Sequence, residues 1–182
     1  MNKWLYTARK SQLPPKGDWD LWLYTSVHRA VGKTRTGAEW VKSKIVLGYK
    51  NGAIIIPYNE YVYYLLDKNN PVGLTRVLEL NSTKDATYNP NERELCIHKY
   101  GDTILKFFNH RDYDRLKGVQ FEFTWVDELK NMSNKMYWLL RMITRLRYPG
   151  HGIPQMLITT TSDLTETLIE VIRSDGIVIT CD

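Results

Sequence analysis

The chain alternates short apolar runs with stretches of helical periodicity. Leu21–Thr25 is a compact apolar run and reads as a core strand. Ala53-Ile54-Ile55-Ile56 follows Gly52 and suits a buried parallel strand ended by Pro57. Phe121–Val126, Met156–Thr159 and Ile177–Ile179 read the same way. Between them lie predicted helices: Gly32–Val46, Glu60–Leu66 with Asn59 as its cap, Met132–Leu146 and Leu164–Arg173. In Met132–Leu146, the residues Met136, Leu139, Leu140 and Ile143 recur at helical spacing. Gly37 is an unexpected residue inside the first long helix.

Other segments are shorter. Trp4–Lys10 predicts a short helix in an irregular lead-in that carries Pro14, Pro15 and Gly17. Val77–Leu80 predicts a short strand. Leu95–Tyr100 and Thr103–Phe108 flank Gly101-Asp102 and predict a β-hairpin. His110–Gly118 is charged and predicted irregular. A cap before Leu164 falls to Ser162 or Asp163. Strands alternating with helices at short intervals predict an α/β fold, a mostly parallel central sheet flanked by helices on both faces.

The length of 182 residues suits one domain with a real core, and 43% hydrophobic with 25% charged residues is an ordinary globular mix. The net charge of +5 favours an anionic partner only weakly. Cys96 and Cys181 form no CxxC pair, which makes a reduced intracellular setting the default. The N-terminus lacks the apolar core of a signal peptide, and no run approaches a membrane span. A soluble protein with no membrane partner is expected.

Candidate chemistry sits at two strand ends. Val27-His28-Arg29-Ala30-Val31-Gly32-Lys33-Thr34 lies between a predicted strand and a predicted helix. It keeps the tail of the phosphate-binding pattern G-x-x-x-x-G-K-[ST] and has Val27 where the first glycine belongs. In such a loop backbone N–H groups surround phosphates, Lys33 reaches the β- and γ-phosphates, and Thr34 places its hydroxyl on magnesium. The bland alternative is an exposed lysine at a helix start, which the helix dipole disfavours unless an anion is bound. Arg29 is placed to reach a γ-phosphate like an arginine finger, and is equally a common surface arginine.

The second strand ends in Asp127-Glu128. Adjacent residues on an extended chain point different ways, so one acid suits a metal and the other a water. Alone, the pair reads as solvated acids at a strand end. About ninety residues after Gly32-Lys33-Thr34, it reads as a Walker B element. Thr159-Thr160-Thr161-Ser162 closes the next strand, where ligands of α/β sheets bind. These hydroxyls are placed to sense a γ-phosphate, or simply to serve strand and cap.

Taken in order, these motifs resemble the ATPase region of the large terminase subunit of tailed double-stranded-DNA phages. "ARKSQLPPKGDW" resembles the adenine-side element, matched by Arg9 and Gln12. "VHRAVGKTRTGAEWV" resembles the Walker A loop with its helix, "RLKGVQFEFTWVDEL" the Walker B segment, "MLITTTSD" the coupling motif and "GIVIT" the strand after it. The stretch "TRTGAEW" is the most specific match, and the resemblance covers almost the whole chain.

The resemblance implies a P-loop NTPase of the additional-strand class over residues 1–182, with ATP and Mg²⁺ as cofactors. It implies nucleotide contacts from Arg9, Gln12, Val27, His28, Arg29, Ala30, Val31, Gly32, Lys33, Thr34, Thr160 and Thr161. Thr34 and Asp127 would hold the metal, and Glu128 and Arg29 would be catalytic. The implied function is ATP hydrolysis that drives double-stranded viral DNA into a procapsid. Implied partners are DNA, a portal protein, a small terminase subunit and further copies in a pentameric ring. The implied place is the host cytoplasm, docked transiently on the procapsid.

Two departures stand out. Val27 and Ala30 replace glycines usual in the family's loop, and the family's RNase H-like nuclease domain is not expected here, nor nuclease activity. His110, Arg111, Arg115 and Lys117 are candidates for DNA phosphates or a subunit interface, with Asp112 and Asp114 diluting their charge. A non-hydrolysing structural or nucleic-acid-binding module and a helicase-like ATPase are the rival readings.

Overall fold

The apolar runs are strands because each buries both of its faces. On β1 (Leu21–Ser26), Leu21 and Leu23 face one core while Trp22 and Tyr24 face another. On β2 (Asn51–Ile56), Ala53 and Ile55 split from Ile54 and Ile56 in the same way. Such two-sided burial needs helices above and below, which is why these strands show continuous rather than alternating hydrophobicity. The computed structural model describes residues 4–28, 30–147, 151–163, 165–174 and 177–181.

The sheet contains these two strands with β3 (Ala86–Asn89), β4 (Glu94–Ile97), β5 (Thr103–Asn109), β6 (Phe123–Asp127), β7 (Gln155–Thr161) and β8 (Ile177–Cys181). Its order is β3-β4-β5-β2-β6-β7-β1-β8. From β5 to β8 every neighbouring pair is parallel, whereas β3 and β4 add an antiparallel margin. β7 thus lies between β1 and β6. The expected hairpin about Gly101-Asp102 is present as the β4–β5 pair.

One face of the sheet is covered by α2 (Lys33–Val46), α3 (Tyr61–Leu66) and α4 (Leu74–Val77), whose Trp40, Val41, Val62, Leu65 and Leu74 join its core. The other is covered by α6 (Asn134–Ile143) and α7 (Glu166–Arg173), through Met136, Tyr137, Leu140, Leu168 and Val171. Each buried side chain of this size contributes roughly 1.5–3 kcal/mol. The chain enters through α1 (Trp4–Thr7), followed by a 3₁₀ turn at Lys10–Gln12. Among the described residues, no helix is long and apolar enough to cross a membrane.

Several expectations need correction. Val77–Leu80 is not a strand: the chain makes one helical turn, α4, and buries Leu74, Val77 and Leu78. One turn is too short to display a helical period, so the short apolar run read as a strand. β3 went unpredicted because it is a four-residue edge strand with little buried surface. The irregular segment after His110 holds a one-turn helix, α5 (Tyr113–Leu116), pinned by buried Leu116. Asn59 does not cap α3; its Oδ1 accepts from Arg93 at 2.6 Å and from Asn109 at 2.7 Å. α7 is capped by Thr165, whose hydroxyl accepts from the Leu168 N–H at 3.1 Å, rather than by Ser162 or Asp163. The helix expected over Met132–Leu146 is shorter, with Ser133 as its cap.

Candidate active site

β1 leads through Val27 and His28 into the loop ahead of α2. The turn is closed by Gly32 at φ 84°, a left-handed conformation that suits glycine. Ala30 also sits at φ 59°. α2 begins at Lys33 with no side-chain cap at Gly32 and no acid in its first turn. Its leading N–H groups are therefore available to an anion. Lys33 folds back and donates to the His28 carbonyl at 3.1 Å.

The lead-in grips the underside of this loop. The Gln12 amide donates to the Val31 carbonyl at 3.3 Å and to the Thr36 hydroxyl at 3.2 Å. Arg9 also donates to the Val31 carbonyl, and to the Tyr24 hydroxyl at 3.4 Å. A Cβ on Gly32 would approach Gln12 Nε2 to 2.8 Å. Arg9 and Gln12 are thus brought to the loop as neighbours of Val31. Arg29 lies outside the described residues.

The acids arrive from β6. Parallel register sets Asp127 opposite Thr159, and the Thr159 hydroxyl donates to Asp127 Oδ1 at 2.9 Å. Asp127 Oδ2 accepts from Thr34 at 3.3 Å and from Tyr61 at 2.9 Å. The Thr34 and Tyr61 hydroxyls are themselves 3.5 Å apart. Three oxygens from α2, α3 and β6 thus converge on one point at the C-terminal ends of the central strands, the crevice where α/β sheets hold ligands. Burial pushes the Asp127 carboxyl up to about 6, against the hydrogen bonds that lower it. Burial also raises the Tyr61 phenol, with Asp127 adding to the effect.

Glu128 turns out of the strand at φ 64° and ψ 90°. Its N–H still bonds the Thr159 carbonyl at 2.8 Å. That turn aims its carboxylate at the end of β7 while Asp127 faces α2. Glu128 Oε1 accepts from Thr160 Oγ1 at 2.9 Å, from Thr161 Oγ1 at 3.1 Å and from the Thr161 N–H at 3.4 Å. The three consecutive threonines of β7 therefore hold both acids. Ser162 extends the contact to β1 by bonding Thr25 at 2.9 Å.

Gly32, Lys33, Thr34, Asp127, Glu128, Thr160 and Thr161 are thus gathered at one end of the sheet. Val27 and His28 are exposed on the loop. Tyr61 had no motif to reveal it, because it sits in an ordinary aromatic helix. Thr159 belongs to the threonine run at the end of its strand, but its bond to Asp127 depends on strand register that the chain alone does not show. His110 and Arg111 line a cleft with Lys135, whereas Lys117 pairs with Asp114 at 2.6 Å and Arg115 lies over the Phe108 ring.

Oxygen donors at this spacing suit a hard divalent cation such as Mg²⁺. Beside them stands a helix N-terminus with a lysine, so a cation-bound polyphosphate is the ligand class these groups fit.

Solved structures share this architecture. The large terminase of a thermophilic bacteriophage superposes with a TM-score of 0.65 over 98% of the chain at 10% identity. The large terminase ATPase domain of Thermus phage P74-26 does so with 0.64 over 91% of the chain, at 11% identity. At such identities the likeness is one of fold. The chain spans 43% of the first of these proteins and 76% of the Thermus phage domain. No curated protein matches it. Residues 28–176 match the family described as terminase large subunit, T4likevirus-type, N-terminal, a span that runs from the glycine-lysine loop past both acids and β7. On that match the chain belongs to the terminase large-subunit family, within its N-terminal region.

Proposed function

We propose that this domain is a P-loop ATPase of the additional-strand class that drives double-stranded viral DNA into a procapsid. One observation carries the reading. The Thr34 hydroxyl and Asp127 carboxylate, 93 positions apart in the chain, lie 3.3 Å from each other beside an uncapped helix N-terminus. β7 between β1 and β6 supports the additional-strand assignment. The thermophilic-phage large terminase of the same fold is known in complex with ADP, which supports nucleotide binding.

The bound Mg²⁺–ATP would supply the phosphoanhydride and the cation that offsets charge on its oxygens. The residues divide the remaining work. N–H groups of Val31–Thr34 and the start of α2 receive phosphate oxygens, with Val27, His28, Arg29 and Ala30 forming the rest of the loop. Lys33 exchanges the His28 carbonyl for a phosphate. Thr34 and Asp127 hold the cation, which offsets the burial that now raises Asp127. Glu128 orients the attacking water and accepts its proton. Thr160 and Thr161 hold Glu128 and so link its position to β7. Arg29 stabilises charge on the transferred group. Arg9 and Gln12 border the adenine while anchoring Val31.

Contacts with DNA would be mainly to phosphates and hence salt-sensitive. A portal protein, a small terminase subunit and a five-membered ring complete the proposed setting, in a host cytoplasm.

Binding and turnover test this separately. Glu128→Gln is expected to keep affinity for a fluorescent ATP analogue with magnesium while phosphate release falls by about 10²-fold or more. Lys33→Ala is expected to weaken both. A wild-type domain that neither binds nor hydrolyses ATP, even with DNA, would instead be a structural module. ATP-driven strand separation would point to a helicase.

A further inference from the structure

The antiparallel margin of the sheet carries a second group of ligating side chains, unrelated to the crevice. Cys96 and His98 are two apart, so strand alternation turns both to the same side of the sheet at β4. That side is solvent, because Leu95 and Ile97 take the core. Asp102 joins them from the hairpin turn. One ligand atom from each of Cys96, His98 and Asp102 lies within 4.8 Å of the others. Asp102 comes at the amino end of β5, which runs parallel to β2, so this group lies at the opposite end of the strands from Asp127.

We propose that Cys96, His98 and Asp102 form a binding site for a thiophilic divalent cation of the Zn²⁺ class. The distances carry this. Cys96 Sγ and His98 Nδ1 are 3.7 Å apart. Two ligands on tetrahedral zinc, with bonds of about 2.3 Å to sulfur and about 2.0 Å to nitrogen, stand about 3.5 Å apart. The Asp102 carboxylate reaches the same imidazole nitrogen at 2.7 Å, a hydrogen bond that opens by less than about 1 Å to admit a metal.

The far side of the imidazole is also held. Thr87, on β3, meets His98 Nε2 at 3.2 Å, which fixes the ring with Nδ1 turned toward the group. Asp102 holds φ 56°, a conformation that non-glycine residues seldom adopt, and in it the carboxylate reaches His98.

The chemistry selects the cation. Thiolate with imidazole favours Zn²⁺ over Mg²⁺ or Ca²⁺, and the carboxylate brings the protein charge to minus two. Binding exchanges the thiol proton for the metal while the imidazole proton sits on Nε2, facing Thr87, and a water completes four-coordination. Such an ion would tie β4 to the β5 turn and clamp the margin. The inference does not rest on the ATPase reading.

Co²⁺ and Zn²⁺ are the probes, added to the whole reduced domain without nucleotide. Wild type is expected to show a thiolate-to-cobalt charge-transfer band that saturates at one equivalent and is displaced by Zn²⁺. Cys181→Ser should keep the band. Cys96→Ser should abolish it, and His98→Ala should weaken binding by on the order of tenfold or more. In wild type alone, Zn²⁺ should shield Cys96 but not Cys181 from alkylation, read by mass spectrometry. That readout stands whatever the folding of the variants. Absence of the band in wild type, its survival in Cys96→Ser, or equal alkylation of both cysteines would overturn the proposal.

Discussion

Ala30 holds a left-handed backbone at φ 59° in a loop where the resembled family usually has glycine. The crowding of its Cβ costs roughly 1–2 kcal/mol. Glycine would remove that but would loosen the unfolded chain by about 0.4–1 kcal/mol. Ala30→Gly is therefore expected to raise stability by up to about 1.5 kcal/mol in urea unfolding. Val27 keeps an ordinary negative φ, so Val27→Gly should give no such gain. The reverse ranking of the two variants would contradict this account.

At the far end of α2, Lys44 is buried and burial lowers its ammonium to about 8, with Glu122 opposing. An unfolded lysine titrates near 10.5. Between those values the unfolded chain holds more protons, so this group makes stability rise with pH across that window. Its destabilising effect is complete below pH 8 and gone above 10.5. Lys44→Met should flatten the rise measured between about pH 7.5 and about pH 10. Parallel profiles for variant and wild type would show that Lys44 keeps an ordinary pKa.

Among the elements, α2 sets the spacing of the site, and Gly37 sets the height of α2. A Cβ there would fall 2.0 Å from the Trp125 ring. Helix propensity favours alanine over glycine by about 1 kcal/mol. Overpacking costs roughly 1–3 kcal/mol or more, and this overlap is severe, so packing wins. Gly37→Ala is expected to lower the midpoint of thermal unfolding seen by circular dichroism. It should also slow ATP turnover, because Trp125 Nε1 donates to Thr159 at 2.9 Å and Thr159 holds Asp127. An alanine variant that melts higher than wild type would refute the close approach.

For the molecule as a whole, the sheet brings the loop after β1 to the end of β6 across β7. Force on DNA would need several such domains, each on the same track. The ring of the proposed function draws on portal and DNA as templates, and a net charge of +5 opposes self-association. The isolated domain is expected to be a monomer in dilute solution. Light scattering that finds a stable ring without DNA or portal would contradict this.

The central strands, the long helices and the candidate residues at two strand ends are all legible in the chain alone. Runs such as Ile54-Ile55-Ile56 are legible because burial on both faces leaves no polar position. Gly32-Lys33-Thr34 and Asp127-Glu128 are legible as candidates because phosphate- and metal-binding patterns restrict residue type. Two short elements were not legible. α4 and β3 span four residues each, fewer than a period needs to declare itself. Long-range contacts settled that Asn59 bonds Arg93 and Asn109 instead of capping a helix, because those partners come from β5 and the approach to β4. The same kind of contact brought Tyr61 to Asp127 and set Thr159 opposite it, since both depend on strand register and helix placement. It also gathered Cys96, His98 and Asp102, whose spacing in the chain lacks a metal signature until the hairpin closes. Local chemistry is written along the chain, whereas side chains from distant elements meet only where the sheet sets their register.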